Sequence, residues 1–389
     1  MKLRVGKKDS VVSIFIVIFS VLIILSTAPL TGSDFWLMFR HDAQHTGNSS
    51  SSAPNTNTTL WTNVTIPLYS SPAVADDRLF LGGDAVRCFD AGTGELIWEN
   101  STGGGYSSPA TSDGLVYIGS YNYIYCFDVD GLIDGDDGIS DPMGDDSDLV
   151  WISALTSGSG ESSPTVSVGK VYINSNGYTH CFDAYTGNLN WKNWTGAFGS
   201  SPAVADGLVF SWGGTLSGLN AFTGEYVWNY STEEGKNPRQ YPSPTVIDER
   251  VYAATYDGMV YCLDKDPSDG IDEGVSDPAG SEYDMIWSSY ITGTCSSPAV
   301  VYGRVYIGSS VDASGLNRLH CLDTTTGVEV WFKDFDYSIH SSPAVANGKV
   351  FVGADKLYCF DAITGDDIWN YSTGSMYSSP AVANGRLYV

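Results

Sequence analysis

Residues 341–353 read Ser341-Ser342-Pro343-Ala344-Val345-Ala346-Asn347-Gly348-Lys349-Val350-Phe351-Val352-Gly353, and residues 357–369 read Leu357-Tyr358-Cys359-Phe360-Asp361-Ala362-Ile363-Thr364-Gly365-Asp366-Asp367-Ile368-Trp369. Short apolar segments alternate with turn signals, and Asn347-Gly348 is among the strongest two-residue hairpin signals. Asp361 is placed to accept backbone N–H bonds, and Gly365 to supply a positive φ. The pattern recurs along the chain. Its proline returns at Pro72, Pro109, Pro164, Pro202, Pro244, Pro298, Pro343 and Pro380, each time after Ser-Ser except in the fifth copy, Pro242-Ser243-Pro244. Ten residues separate Cys88 from Trp98, Cys181 from Trp191, Cys321 from Trp331 and Cys359 from Trp369, and the same distance joins Gly218 to Trp228. Each copy holds four short strands and leaves no room for a helix. Repeated units of this size predict an all-β chain folded as an eight-bladed β-propeller of four-stranded antiparallel blades. A proline is tolerated at the start of the innermost strand, which is an edge facing the channel. Trp61 precedes the first copy, so it is expected to close the last blade. Val389 ends the chain after that blade's second strand, so the last blade is expected to lack its third.

Composition agrees and removes other classes. Across 389 residues, 43 glycines and 13% aromatics suit strands and turns, and only 16% of residues are charged. A net charge of −26 is opposed to a general nucleic-acid binder, which needs a basic footprint. Seven cysteines in so long a chain do not make a disulfide-stapled miniprotein. Six of them share one repeat position, where small buried packing residues are expected.

The N-terminus has its own signature. Lys2, Arg4, Lys7 and Lys8 precede an apolar run from Val11 to Leu25. That is the pattern of an export signal, and residues 11–30 also approach the roughly 20 needed for a membrane-spanning anchor. The domain reading is therefore a signal peptide or anchor at 1–30, an N-terminal segment and polar linker at 31–58, and the propeller at 59–389. Export would make the sequons at Asn48, Asn57, Asn63, Asn100, Asn193, Asn229 and Asn370 usable for glycosylation, and would put the protein outside the cell or at its surface.

The repeat Ser-Ser-Pro-Ala-Val, then Val-Tyr-Ile-Gly, then Tyr-Cys-Phe-Asp-Ala-x-Thr-Gly-x-x-x-Trp resembles the pyrroloquinoline-quinone (PQQ)-like propeller repeat. That family includes quinoprotein dehydrogenases and the outer-membrane assembly factor BamB. Trp36 to Gly47, reading WLMFRHDAQHTG, is similar to the segment that opens many secreted members. The resemblance spans residues 34–389 and implies the propeller fold. For chemistry it implies two branches, a protein-binding scaffold or a quinone- and Ca²⁺-dependent oxidoreductase. The dehydrogenases carry an adjacent Cys-Cys pair, and none occurs here.

Two features are candidates for function. The residue before each Ser-Ser-Pro varies where its neighbours do not, reading Tyr69, Tyr106, Glu161, Gly199, Tyr241, Cys295, His340 and Tyr377. These positions enter the innermost strands, so Tyr69, Tyr106, Glu161, Tyr241, Cys295, His340 and Tyr377 are expected to ring one mouth of the channel, where tyrosines can stack on a planar ligand or a sugar. The competing reading is drift at a loop position. Second, blades 2 and 5 carry matching fifteen-residue acidic inserts. Their candidate metal ligands are Asp128, Asp130, Asp136, Asp137, Asp141 and Asp148 in one, and Asp264, Asp266, Asp272, Glu273, Asp277 and Asp284 in the other. Residues 128–148 hold nine acids and residues 264–284 hold eight, against one lysine. Several hard oxygens in a Gly/Ser loop suit Ca²⁺, and a solvated acidic hairpin is the alternative. PQQ is not expected as a cofactor, and no catalytic residues are assigned. No phosphate loop, His-Glu-x-x-His or Cys-x-x-Cys motif is present. The sequence thus predicts an exported, non-catalytic binding or scaffold module with a protein or glycan partner at the cell surface, touching a membrane only through its N-terminal segment. A PQQ/Ca²⁺ oxidoreductase or a surface adhesin is the alternative.

Overall fold

A computed structural model describes residues 21–26, 35–64, 69–129, 149–156, 162–213, 215–231, 242–266, 285–291, 293, 296–310 and 317–389. Among them there is no helix. Seven sheets are blades made of four strands consecutive along the propeller and paired in sequence order, running from Ala73–Ser101 (blade 1) to Ala344–Tyr371 (blade 7). All-β architecture and four-stranded antiparallel blades are as expected. Eight like blades are not: seven are built this way, and the remaining four-stranded sheet is a composite of both chain ends. In it Ala381–Ala383 pairs with Arg386–Tyr388, which pairs with Val21–Ser26, which pairs with Thr59–Val64.

The predicted gap beside the Trp61 strand is thus filled by part of the N-terminal apolar run. Leu25 pairs with Leu387 on one side and Thr59 on the other. The physical reason is edge pairing: without a third strand, two rows of backbone N–H and C=O groups would face each other unpaired. The run Val21-Leu22-Ile23-Ile24-Leu25 has the aliphatic and β-branched composition that strands favour. Among the described residues no helix is long and apolar enough to cross a membrane.

One clasp, repeated around the ring, joins neighbouring blades. The outer-strand tryptophans of the composite sheet and of blades 2, 3, 5 and 6 each lie on the Thr-Gly turn of the next blade. Each indole N–H donates to a backbone carbonyl there: Trp61 to Ala91 (3.2 Å), Trp151 to Ala184 (2.9 Å), Trp191 to Ala221 (3.0 Å), Trp287 to Thr324 (2.8 Å) and Trp331 to Ala362 (3.3 Å). The turn glycine makes this approach possible. At Gly187 (φ 68°) or Gly224 (φ 74°) an added Cβ would lie within 2.6 Å of the indole, well inside contact distance. The conserved spacing therefore serves a contact between blades as well as a turn within one. The six described cysteines are buried and form no disulfide, and burial raises the thiols of Cys126, Cys181, Cys262, Cys321 and Cys359, to about 12 at Cys181, Cys262 and Cys321. That keeps them inert packing residues.

Candidate functional site

The eight inner strands bring their Ser-Pro pairs together at the channel. Each second serine donates its backbone N–H to the hydroxyl oxygen of the next blade's second serine. The series runs Ser71 to Ser108 (2.9 Å), Ser108 to Ser163 (3.0 Å), Ser163 to Ser201 (2.9 Å) and Ser201 to Ser243 (2.8 Å). It continues Ser243 to Ser297 (2.9 Å), Ser297 to Ser342 (3.0 Å), Ser342 to Ser379 (2.9 Å) and back from Ser379 to Ser71 (2.9 Å). The ring is closed. In the Ser-Ser copies the first serine serves its own blade: the hydroxyls of Ser70, Ser107 and Ser341 accept the N–H of Gly82, Gly119 and Gly353 in the second strand. One serine thus ties a hairpin and the other ties the blades.

Below this ring the channel is filled by the chain's own N-terminal segment. Trp36 exchanges two backbone bonds with Val74 of blade 1, and the carbonyl of Leu37 accepts the Thr111 N–H of blade 2. The carbonyls of Ala43, Gln44, Thr46 and Gly47 accept from Val204, Val246, Val300 and Val345 of blades 4, 5, 6 and 7. Asn48–Ser49 then runs parallel to Val345–Ala346, and Ser51 Oγ accepts the Gly385 N–H of the composite sheet. The segment caps inner-strand edges that would otherwise lack acceptors. Residues 48–51, part of the stretch 31–58 read as N-terminal segment and polar linker, lie on the propeller.

Two side chains anchor the plug. Arg40 is fully buried and its guanidinium donates to the carbonyls of Pro298 and Pro343, directly beneath ring serines Ser297 and Ser342. Burial lowers its pKa to about 9, with Asp42 pulling the other way. His45 sits at the same level, with Nδ1 3.3 Å from the Pro244 carbonyl and Nε2 3.0 Å from Thr165 Oγ1. Burial pushes its pKa down to about 4, so it is neutral at pH 7. For the Asp42 carboxyl burial acts upward, but hydrogen bonds from His41 and Thr46 hold it below its ordinary range. Arg40, His41 and His45 all have positive φ (64°, 81° and 59°), a backbone strain that the surrounding bonds must offset.

The plug makes the channel blind, and what remains on the open side is a cup of about 180 Å³. Phe39 lies at its base, the eight ring serines form its wall, and Tyr69, Tyr106, Gly199, His340 and Tyr377 stand at its rim. The sequence placed these rim positions at one mouth, and the structure brings four of them into a continuous aromatic arc. His340 stacks on Tyr377 (5.0 Å, 22° between planes), Tyr377 meets Tyr69 edge-on (5.3 Å), and Tyr69 meets Tyr106 (4.9 Å). The three tyrosines are about half exposed (44–51%). Glu161, Tyr241 and Cys295 lie outside the described residues. The sequence reading missed Phe39, Arg40 and the serine ring. The serines were visible only as a repeat, and nothing in their spacing signals a bond between blades.

Of the candidate metal ligands, Asp128, Asp264 and Asp266 are described, and Asp130, Asp136, Asp137, Asp141, Asp148, Asp272, Glu273, Asp277 and Asp284 lie outside the described residues. Among the described residues no cluster of three or more His, Cys, Asp or Glu is arranged to hold a metal. Lys265, the single lysine of the inserts, pairs with Asp206 (2.6 Å) and Glu249 (2.8 Å), neither of which belongs to an insert.

A serine–histidine–acid alignment exists that the sequence did not suggest. In blade 6, His320 Nε2 lies 3.0 Å from Ser309 Oγ and Nδ1 lies 2.6 Å from Glu329 Oε1. A nucleophile must meet its substrate, and Ser309 has no exposed surface. The alignment therefore ties three strands together rather than forming a reactive centre. In blade 3, Leu189 stands where blade 6 has Glu329, and His180 Nδ1 is buried without a partner.

The model of the family described as outer membrane protein assembly factor BamB matches residues 45–141, 141–310, 275–372 and 317–389. No curated protein matches in sequence. Among solved structures, BamB from Moraxella catarrhalis is similar at 18% identity and a TM-score of 0.60, covering 82% of this chain and 92% of that one. A europium-containing methanol dehydrogenase is similar at 12% identity and a TM-score of 0.66, covering 89% and 87%. The quinohemoprotein alcohol dehydrogenase of Comamonas testosteroni is similar at 15% identity and a TM-score of 0.67, covering 89% and 74%. At these identities the likeness establishes the fold.

Proposed function

The chain belongs to the BamB-type family of PQQ-like propeller repeats, and from that premise we propose that it is a non-catalytic binding module whose recognition face is the aromatic cup. The observation that carries this reading is the blind channel: the plug leaves one open mouth, rimmed by exposed tyrosines and walled by polar hydroxyls. Tyrosine presents a large apolar face with a polar tip at low entropic cost, which suits a sugar ring or a peptide. In this reading the composite sheet, with Val21–Ser26 as its third strand, acts as an eighth blade, and the protein works at the envelope or cell surface. Tyr106→Ala and Tyr377→Ala together should lower capture of a partner, selected from glycan or peptide arrays with the unaltered protein, by at least tenfold. Capture unchanged by both substitutions overturns the reading.

The oxidoreductase alternative fits these residues poorly. The cup is small, the plug occupies the channel beneath it, and no carboxylate or amide side chain is among its described lining residues. Together with the lack of a Cys-Cys pair in the sequence, this leaves PQQ without the partners the resemblance would require among the described residues. The acidic inserts are a separate matter, and we read them as Ca²⁺ sites. Nine acids in residues 128–148 and eight in residues 264–284, set among glycines and serines, supply the hard oxygens that Ca²⁺ prefers. Calorimetry with Ca²⁺ should find two sites, and heats no larger than those of Mg²⁺ at equal concentration would favour the solvated-hairpin reading.

A further inference from the structure

We propose that the serine ring is an oxyanion site, an inference that rests on the cup being a recognition face and names the chemistry it recognises. The argument begins with where each hydroxyl proton goes. Every ring hydroxyl oxygen accepts a neighbour's N–H, from Ser71 round to Ser379. That bond fixes the oxygen and leaves its proton to point elsewhere. None of the eight donates that proton to a protein acceptor among the described residues. All eight line the cup. Their exposure of 3–7% contrasts with 0–1% for the first serines Ser70, Ser107, Ser162, Ser200, Ser296 and Ser341, so the little surface they keep there is the surface the cup gives them. Eight hydroxyls therefore face one space, and its described lining carries no carboxylate or amide side chain.

A second, independent observation gives the site its sign. The Arg40 guanidinium, fully buried, lies one residue beneath the ring on the carbonyls of Pro298 and Pro343, and its Nε has no hydrogen-bond partner. Its nearest counter-charge, Asp42, is committed to His41 and Thr46. A cation beneath converging hydroxyl dipoles, with no carboxylate among the cup's described lining, favours negative charge above it, as preorganised donors do in any oxyanion hole. A volume of about 180 Å³ admits one tetrahedral or planar oxyanion with some of its water. The aromatic arc above would take a planar body attached to it.

Calorimetry and crystals of the full chain test this with three probes: selenate, acetate and benzoate. Selenate should bind at one site, with a single selenium anomalous peak inside the ring. Ser342→Ala, which removes one hydroxyl and one ring bond, should weaken it at least threefold. Arg40→Met should abolish it, and the milder serine substitution keeps the test open if that variant does not fold. Benzoate at least tenfold tighter than acetate identifies the ligand as an organic carboxylate held by the arc. Selenate tighter than either identifies a free inorganic oxyanion. No selenium peak in the ring, or affinities unmoved by Ser342→Ala, overturns the proposal. If oxyanions fail to bind while Tyr106→Ala and Tyr377→Ala still abolish partner capture, only the oxyanion site is lost. If capture is also unmoved, the binding-face reading falls with it.

Discussion

The seam between blades 6 and 7 and the seam between blade 7 and the composite sheet use the same tryptophan differently. At the first, Trp331 lies against Gly365 and donates its indole N–H to the Ala362 carbonyl at 3.3 Å. At the second, Trp369 packs among Phe351, Leu387 and neighbouring residues, but its indole nitrogen is buried with no partner. The cause is the third strand. In blade 7 it ends in Asp361-Ala362-Ile363-Thr364-Gly365, whose turn receives Trp331. In the composite sheet the third strand is Val21–Ser26, and the sequence after it, Thr27-Ala28-Pro29-Leu30, does not repeat Ala362-Ile363-Thr364-Gly365. Blade adhesion is thus a property of two adjacent repeats, the tryptophan of one and a carbonyl just past the third strand of the next, which Trp98 and Trp228 find at Val129 and Lys265 without a Thr-Gly turn. A tryptophan alone supplies only apolar area.

The largest test of this difference is truncation. Trp331→Ala removes a packed indole and a hydrogen bond and should cost about 3–5 kcal/mol, in line with other large-to-small core changes. Trp369→Ala should cost less by about 1 kcal/mol, the net worth of the hydrogen bond it never made. Urea unfolding of both variants gives the comparison directly. Equal losses would mean that the clasp hydrogen bond contributes nothing, and the two seams would then be alike.

Acid should strain another pair of matched sites. Burial, with the Lys192 ammonium nearby, pushes His180 of blade 3 down to about 4, and burial does the same to His45 in the plug. In blade 6 burial also lowers His320, but Glu329 opposes the shift. The unfolded chain protonates these histidines near pH 6.5 and the folded chain does not, so folding stability is full above that pH. It falls as pH drops from about 6.5 to about 4, by at most roughly 3 kcal/mol each for His45 and His180. His180→Gln should remove its share of that slope, whereas His320→Gln should remove a smaller share and break the tie to Glu329. A flat stability profile between pH 7 and pH 4.5 would contradict the assignment.

Glycine substitutions separate strain from clash at the regular seam. Gly365 has φ 75°, and a Cβ there would stand 2.8 Å from the Trp331 ring. Gly374 has φ 85° and open space around it. Gly374→Ala should therefore cost only the left-handed backbone conformation, about 1 kcal/mol, and Gly365→Ala about 2 kcal/mol or more because the indole must also move. Equal melting temperatures for the two variants would show that the turn does not seat the tryptophan.

How far the sequence could be read follows from which interactions leave a pattern in it. Blade strands alternate with Asn-Gly, Asp-Gly and Thr-Gly turns at fixed spacing, so strand order was legible from spacings such as Cys359 to Trp369, while the tryptophan clasp between blades was not. The rim was legible because one position varied, reading Tyr69, Tyr106, His340 and Tyr377 among invariant neighbours. The plug was not. Residues 36–49 bind the blades chiefly through backbone carbonyls such as those of Ala43, Gln44 and Gly47, and a carbonyl is the same in every residue. Arg40 stands on a segment without periodicity, so nothing in the sequence marks it as the residue that the structure buries completely. The composite sheet escaped for a different reason. Its third strand comes from an apolar run that reads equally as a signal or an anchor, and hydropathy does not distinguish a lipid environment from a strand-wide slot.

The smallest effect is the most discriminating. Phenylalanine keeps most of the indole's apolar face and discards its N–H. At Trp331 that discards a bond, so Trp331→Phe should cost about 1 kcal/mol for the hydrogen bond and somewhat more for lost area. At Trp369 it discards a buried donor with no acceptor, which is a standing penalty of about 1–3 kcal/mol in the native protein. The area lost and the penalty relieved oppose each other there, so Trp369→Phe should be neutral or slightly stabilising. Opposite signs at two positions with the same repeat role would tie the seam difference to one hydrogen-bond acceptor. Matching losses would instead mean that Trp369 finds an acceptor in solution, and the composite seam would then be closed by something other than the Val21–Ser26 strand.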